Sequence, residues 1–151
     1  MLINKFLKLV KQDKFWIIFF GSLFAIIVAY AFEFIGKFKP CALCILQRIP
    51  YFALQCIALI AVIWPKQRRC MSYMVAIMAL FEVALAAYHV GIEHYIFDES
   101  STCRAIDSGC STVYFRIMNL SMAEWNLIYI IALLYYFIKL ERKNGLFTRR
   151  S

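Results

Sequence analysis

Charge is scarce in this chain, and negative charge scarcer still: Asp, Glu, Lys and Arg make up 17% of 151 residues, with nine acidic against 17 basic side chains. An average soluble domain carries about 25% charged residues. Glycine and proline are also few, five and three. No stretch rich in Pro, Gly or Ser marks a linker, and there is no internal repeat or low-complexity tract, so a single domain over residues 1–151 is expected. The segments of about ten alternating residues that would build a membrane β-barrel are missing too.

What the chain has in excess is apolar surface, with 64% hydrophobic and 17% aromatic residues, more than a soluble domain of this length can hide. A hydrocarbon core about 30 Å thick requires about 20 largely apolar residues per helix. Four runs meet that length: 15–34, broken only by Ser22 and Glu33; 42–64, with Gln47, Arg48, Pro50 and Gln55; 71–92, with Glu82 and His89; and 121–140, whose first turn is made polar by Glu124 and Asn126. The expected fold class is an all-α membrane protein, a four-transmembrane-helix bundle. Only the loop 93–120 is long enough to hold chemistry of its own.

Basic residues near the ends of the runs set orientation. Lys5, Lys8, Lys11 and Lys14, then Lys66, Arg68 and Arg69, then Lys139, Arg142, Lys143, Arg149 and Arg150 define one side; the other has Lys37, Lys39, Arg104 and Arg116 beside Glu93, Asp98, Glu99 and Asp107. Both termini are expected to be cytoplasmic, and the net charge of +8 reads as a topology signal rather than a nucleic-acid surface. Ala29-Tyr30-Ala31 imitates a signal-peptide cleavage site, but the apolar stretch exceeds the usual 7 to 15 residues or so, so a retained anchor is expected.

That topology puts Cys41 and Cys44 at the outer end of the second run and Cys103 and Cys110 in the outer loop. In an oxidising compartment paired cysteines imply disulfides. A two-residue gap closes too small a loop to constrain an unfolded chain much, so Cys41 and Cys44 read as a bond made and broken rather than a staple. Pro40 suits a first helical turn, which would place both thiols where the helix dipole and free N–H groups favour thiolate, the reactive form. Arg48, four residues after Cys44, falls on the same face about one turn deeper. An ionisable residue inside a span is a functional hypothesis by default, and no acid in the same stretch neutralises it. An arginine fork there suits a carbonyl-bearing, lipid-soluble ligand that gains charge on reduction. A quinone has those properties.

The segment Phe32-Glu33-Phe34 to Pro40-Cys41-Ala42-Leu43-Cys44-Ile45-Leu46-Gln47-Arg48-Ile49-Pro50-Tyr51 resembles the signature of the DsbB family, the bacterial inner-membrane thiol:quinone oxidoreductases that recharge DsbA. Tyr88-His89-Val90-Gly91-Ile92-Glu93, the pair Cys103 and Cys110, and Ser121-Met122-Ala123-Glu124-Trp125-Asn126-Leu127 are similar to family patterns in the same order. The resemblance implies a catalytic set of Cys41, Cys44, Cys103 and Cys110. Cys103 and Cys110 would exchange with a periplasmic DsbA-like thioredoxin-fold partner, Cys103 forming the mixed disulfide. Cys41 would take the electrons, and Cys44 would meet ubiquinone or menaquinone in an adduct or charge-transfer contact. Arg48 would bind and polarise the quinone, with His89 near the same site. Recharging of DsbA by quinone is general behaviour of that family. Only six residues separate Cys103 from Cys110, a compact loop by family standards.

Other classes stay open at this point: a metal-binding membrane protein using the four outer cysteines, a non-catalytic assembly subunit, and a vitamin K epoxide reductase-like enzyme running thiol-driven reduction. Cys56 is expected to be a small buried residue, and Cys70 to lie on the reducing side without a partner in sequence. Glu82 is expected to be protonated or hydrogen-bonded toward the bundle interior, and Glu33 to make no more than a helix-end contact. Trp125, Tyr88, Tyr95 and Tyr114 suit the interfacial belt, and the Phe-rich first run suits a lipid-facing or packing surface.

Overall fold

Four helical spans are long and apolar enough to cross a membrane: Lys14–Phe34, Ala42–Ile63, Pro65–Glu93 and Met122–Arg142. The computed structural model describes residues 14–98, 103, 109–113 and 115–143. Much of the charge used for orientation (Lys5, Lys8, Lys11, Arg149, Arg150, and Glu99, Arg104 and Asp107 of the loop), together with Tyr114, lies outside the described residues.

Helix α1 is Lys14–Phe34, α2 Ala42–Leu46, α3 Arg48–Ile63, α4 Arg68–Glu93 and α5 Met122–Lys143. Helix α1 packs on α3, α3 on α4 and α4 on α5, and α5 returns to α1. The core is built from Phe15, Ile18, Leu54, Val75 and Ile130, with Ala58, Ala61 and Ala79 letting helices approach closely. A Cβ on Gly21 would lie 2.8 Å from Leu133 Cδ1, so glycine lets α1 and α5 meet closely without moving that leucine. Outward faces are as apolar as the core: Phe24, Ile27, Ile77, Leu80 and Tyr135 are all more than half exposed. Such continuous apolar surface suits lipid, not water.

The second run is not one straight helix. Pro50 has no N–H for the carbonyl four residues earlier and its ring crowds that carbonyl; the chain breaks at Gln47, separating α2 from α3. The third and fourth helices run longer than expected, from Arg68 and to Lys143. Pro65 opens a 3-10 turn, Pro65–Gln67, between α3 and α4, and Arg68 Nε donates to the Ala61 carbonyl at 3.1 Å in the last turn of α3. Cys56 is exposed on the outer face of α3 rather than buried, and Cys70 is exposed near the start of α4.

Ahead of α5, strands β1 (Arg116–Ile117) and β2 (Leu120–Ser121) pair antiparallel. Met118 and Asn119 between them both have positive φ, 52° and 66°, as a tight type I′ connection demands. Ser121 and Glu124 then form a reciprocal capping box: Glu124 N–H donates to Ser121 Oγ at 3.1 Å, and Ser121 N–H donates to Glu124 Oε2 at 2.7 Å. Glu124→Ala removes one arm of this box and the Glu124 contact with His94 at 2.9 Å. It is expected to destabilise α5 by about 1 kcal/mol, visible as a lowered melting temperature in detergent with unchanged helicity at low temperature.

At the opposite end of the bundle, Lys14, 3% exposed, pairs with Glu141 and donates to Ser72 Oγ at 2.9 Å. Lys14, one of the basic residues that flank the first run, turns its charge inward against an acid 127 residues away.

Candidate redox active site

Cys41 is the N-cap of α2, in extended backbone (φ −74°, ψ 168°), and its Sγ accepts from the Cys44 N–H at 3.2 Å. The sulfur thereby meets one of the N–H groups a helix start leaves unpaired, at the positive end of the helix dipole. Helix α2 begins later than the sequence suggested: Pro40 lies before it, Cys41 is buried and Cys44 half-buried. The two sulfurs are 2.6 Å apart, and Cys41 Sγ is 3.6 Å from Nε2 of His89, on α4. Hydrogen bonding from the Cys44 thiol, then from His89 and from the Cys44 N–H, outweighs burial and holds the Cys41 thiol well below its usual range.

Cys103 and Cys110 form a disulfide with Cα atoms 5.5 Å apart. Both are buried and share one packed cluster with Cys41, Leu43 and Ile92, against which Cys44 and Tyr88 also pack. The pair expected in the outer loop is thus seated against the helix pair. Rings hold the two cysteine-bearing segments together: Phe38, just before Cys41, and Phe115, just after Cys110, have centroids 5.6 Å apart, and Phe32 of α1 meets both.

Below the cysteines opens a cavity of about 400 Å³ bordered by Cys41, Cys44, Arg48, His89 and Cys110, with largely apolar walls from α1 and α5. Arg48 Nη1 lies 2.6 Å from Glu33 Oε2 of α1, and its guanidinium carbon sits 4.5 Å over the Tyr30 ring. The neutralising acid absent from the second run is therefore supplied by the first. Arg48 Nε and Gln47 Nε2 are buried with no hydrogen-bond partner among the described residues. Gln47, at the α2–α3 break, borders the same cavity, a position that a polar interruption in an apolar run does not by itself reveal.

A polar chain lies deeper. Tyr51, on the cavity wall, donates to Asn126 Oδ1 at 2.7 Å, and Asn126 Nδ2 donates to Oε1 of the fully buried Glu82 at 2.9 Å. Glu82 turns inward as expected, and Asn126 is its partner. Beside the cysteines, Glu93 Oε1 is 4.0 Å from His89 Nε2, and its other oxygen accepts from Ser121 Oγ.

The family model of DsbB, disulfide bond formation protein DsbB, matches residues 11–140. The chain belongs to the DsbB family. As a DsbB-family protein it is a multi-pass membrane protein of disulfide bond formation, from a family that works with quinones and DsbA-like thiol proteins. The chain is also 26% identical over 160 residues to the uncharacterized protein RP370 of Rickettsia prowazekii strain Madrid E, covering 90% of this chain and 93% of the relative.

Proposed function

We propose that this DsbB-family protein passes electron pairs from a reduced DsbA-like dithiol through Cys103 and Cys110, then Cys41 and Cys44, to ubiquinone or menaquinone in the bacterial inner membrane. The supporting observation is the meeting of both cysteine pairs in one packed cluster beside an apolar cavity with unpartnered donors at Arg48 and Gln47. Lys66, Arg68, Arg69, Lys139 and Arg142 flank the bundle end away from Cys41, which favours a cytoplasmic assignment for that end and a periplasmic one for the cysteines.

Each exchange conserves electrons: a thiolate attacks a disulfide sulfur, a new S–S bond forms as the old one breaks, and the displaced sulfur departs as thiolate. Once the partner has reduced the loop pair, a loop thiolate attacks Cys41 of the Cys41–Cys44 disulfide, Cys44 leaves as thiolate, and the second loop thiolate then displaces Cys41 as the loop disulfide re-forms. The capped, histidine-contacted Cys41 sulfur is a good leaving group and stays in reactive form. Cys44 borders the cavity and completes the second disulfide. A DsbA-type partner is an oxidant at about −120 mV, and structural disulfides below about −300 mV cannot recharge it. A quinone fits the cavity's size and its orphaned donors, and when bound it accepts two electrons and two protons to become quinol. Arg48 and Gln47 donate to a carbonyl oxygen and stabilise the charge that gathers there. The buried loop pair must be uncovered for exchange, and its six-residue spacing leaves a small docking surface suited to a dedicated partner.

Anaerobic mixing of the purified protein with a reduced thioredoxin-fold partner and quinone, followed by the ultraviolet change from quinone to quinol, tests the proposal. Quinol should form in step with oxidised partner; its absence with every quinone tried overturns the reading. Arg48→Ala is expected to raise KM for quinone roughly ten- to hundredfold, the loss of a charged hydrogen bond, while KM for the protein partner stays near its original value.

A further inference from the structure

We propose that the reduced Cys41–Cys44 pair and His89 form a binding site for a soft divalent cation of the zinc and cadmium class, open only while the pair is a dithiol. The site depends on this chain's own side chains and holds whether or not a quinone is the electron acceptor.

The three donor atoms all lie within 4.8 Å of one another, on two buried side chains and one half-buried one. Bonds of about 2.3 Å to sulfur and 2.0 Å to imidazole nitrogen, at a tetrahedral angle, separate the two donors by roughly 3.5 Å. Cys41 Sγ and His89 Nε2 are 3.6 Å apart. The sulfurs, now 2.6 Å apart, must open to roughly 3.8 Å to share a metal. Cys44 borders the cavity, so its side chain has room to rotate.

Two thiolates and one imidazole make a three-ligand set with an open fourth position, and thiolates select soft metals over magnesium or calcium. The fourth position belongs to water or to Glu93, whose carboxylate lies 4.0 Å from His89 Nε2. Arg48, the cation on the same cavity, is paired with Glu33 and does not oppose a second positive charge. Binding releases to solvent whatever protons the donor atoms still carry and changes no oxidation state. A disulfide offers no thiolate, so the oxidised pair is blind to the metal. The bound cation ties α2 to α4 and holds Cys41 and Cys44 reduced, removing both from the relay: an inhibitory site gated by redox state.

The test uses the full-length protein in detergent. It is reduced, freed of reductant under nitrogen, and titrated with Cd²⁺ while the thiolate-to-cadmium absorption band is followed. One equivalent should bind, the band should be absent from protein whose pairs are both oxidised, and His89→Ala should weaken binding at least about tenfold. In parallel, cadmium should shield Cys41 and Cys44 of the unmutated chain from iodoacetamide, read by peptide mass spectrometry, while Cys103 and Cys110 are alkylated. This arm needs no variant to fold. No band, a band surviving oxidation, equal affinity in His89→Ala, or shielding of all four cysteines or of Cys103 and Cys110 alone would each overturn the site. Quinol formation by the metal-free protein is a separate readout, so failure here leaves the electron relay standing.

Discussion

Replacing Cys41 with serine is expected to abolish disulfide formation completely, whereas Cys56→Ser and Cys70→Ser keep the rate within about twofold, as exposed substitutions away from structural features generally do. Serine is itself among the best N-cap residues, so the N–H of Cys44, which now donates to Cys41 Sγ at 3.2 Å, keeps an acceptor and α2 keeps its start. Helicity and melting temperature should therefore match the unmutated protein while turnover vanishes. After treatment with excess reduced partner, Cys103 and Cys110 in the variant should stay reduced and take up two alkyl groups, because the Cys41–Cys44 disulfide that would accept their electrons cannot form. Sustained turnover by Cys41→Ser would remove Cys41 from the relay. The same sulfur makes a pH prediction. Its native-state pKa is depressed, so thiolate is present above that value and reactivity is lost only as pH falls into the acid range. Alkylation of Cys41 in the reduced protein should stay near its plateau through neutral pH, where an ordinary thiol with pKa about 8.5 is still gaining rate.

The spans were legible because burying a backbone in hydrocarbon requires about 20 consecutive apolar residues, and that requirement is written along the chain. Lateral order is not. Glu33 pairs with Arg48 at 2.6 Å, Asn126 with Glu82 at 2.9 Å and Lys14 with Glu141 across helices distant in sequence, and a run of apolar residues does not say which neighbour it will meet. Cys56 shows a related limit. Helix α3 exposes Phe52, Leu59 and Ile63 and is apolar all round, so no polar stripe sets which face points inward. Two signals were present in the letters and went unused. Ser121-Met122-Ala123-Glu124 spells a capping box, and Pro50 implies the break that leaves Gln47 beside the cavity. The cysteine spacing pointed to the chemistry but not to the burial of Cys103 and Cys110 against Cys41, since the loop that carries them has no periodicity to read.

Lys14→Met is expected to cause the largest loss of stability of any single substitution named here, about 3–5 kcal/mol, and Lys14→Met with Glu141→Leu to recover most of it. Lys14 is 3% exposed and Glu141 1%; the lysine pairs with that acid, donates to Ser72 Oγ at 2.9 Å and sits 4.9 Å from the centroid of the Phe15 ring and 5.6 Å from that of Phe137. Removing the cation alone leaves a carboxylate inside the bundle, where water cannot replace the lost partner and its other oxygen already has no partner among the described residues. Removing both charges leaves an apolar contact between α1, α4 and α5 of similar volume, the kind of exchange that is often neutral or favourable. The readout is the unfolding midpoint in detergent titrated with a denaturing surfactant, for both single variants and the double. Strongly non-additive losses, with the double variant near the unmutated protein, mark a true buried pair. Additive losses would show that the two side chains act independently and that α1 is held to α5 by its apolar face alone.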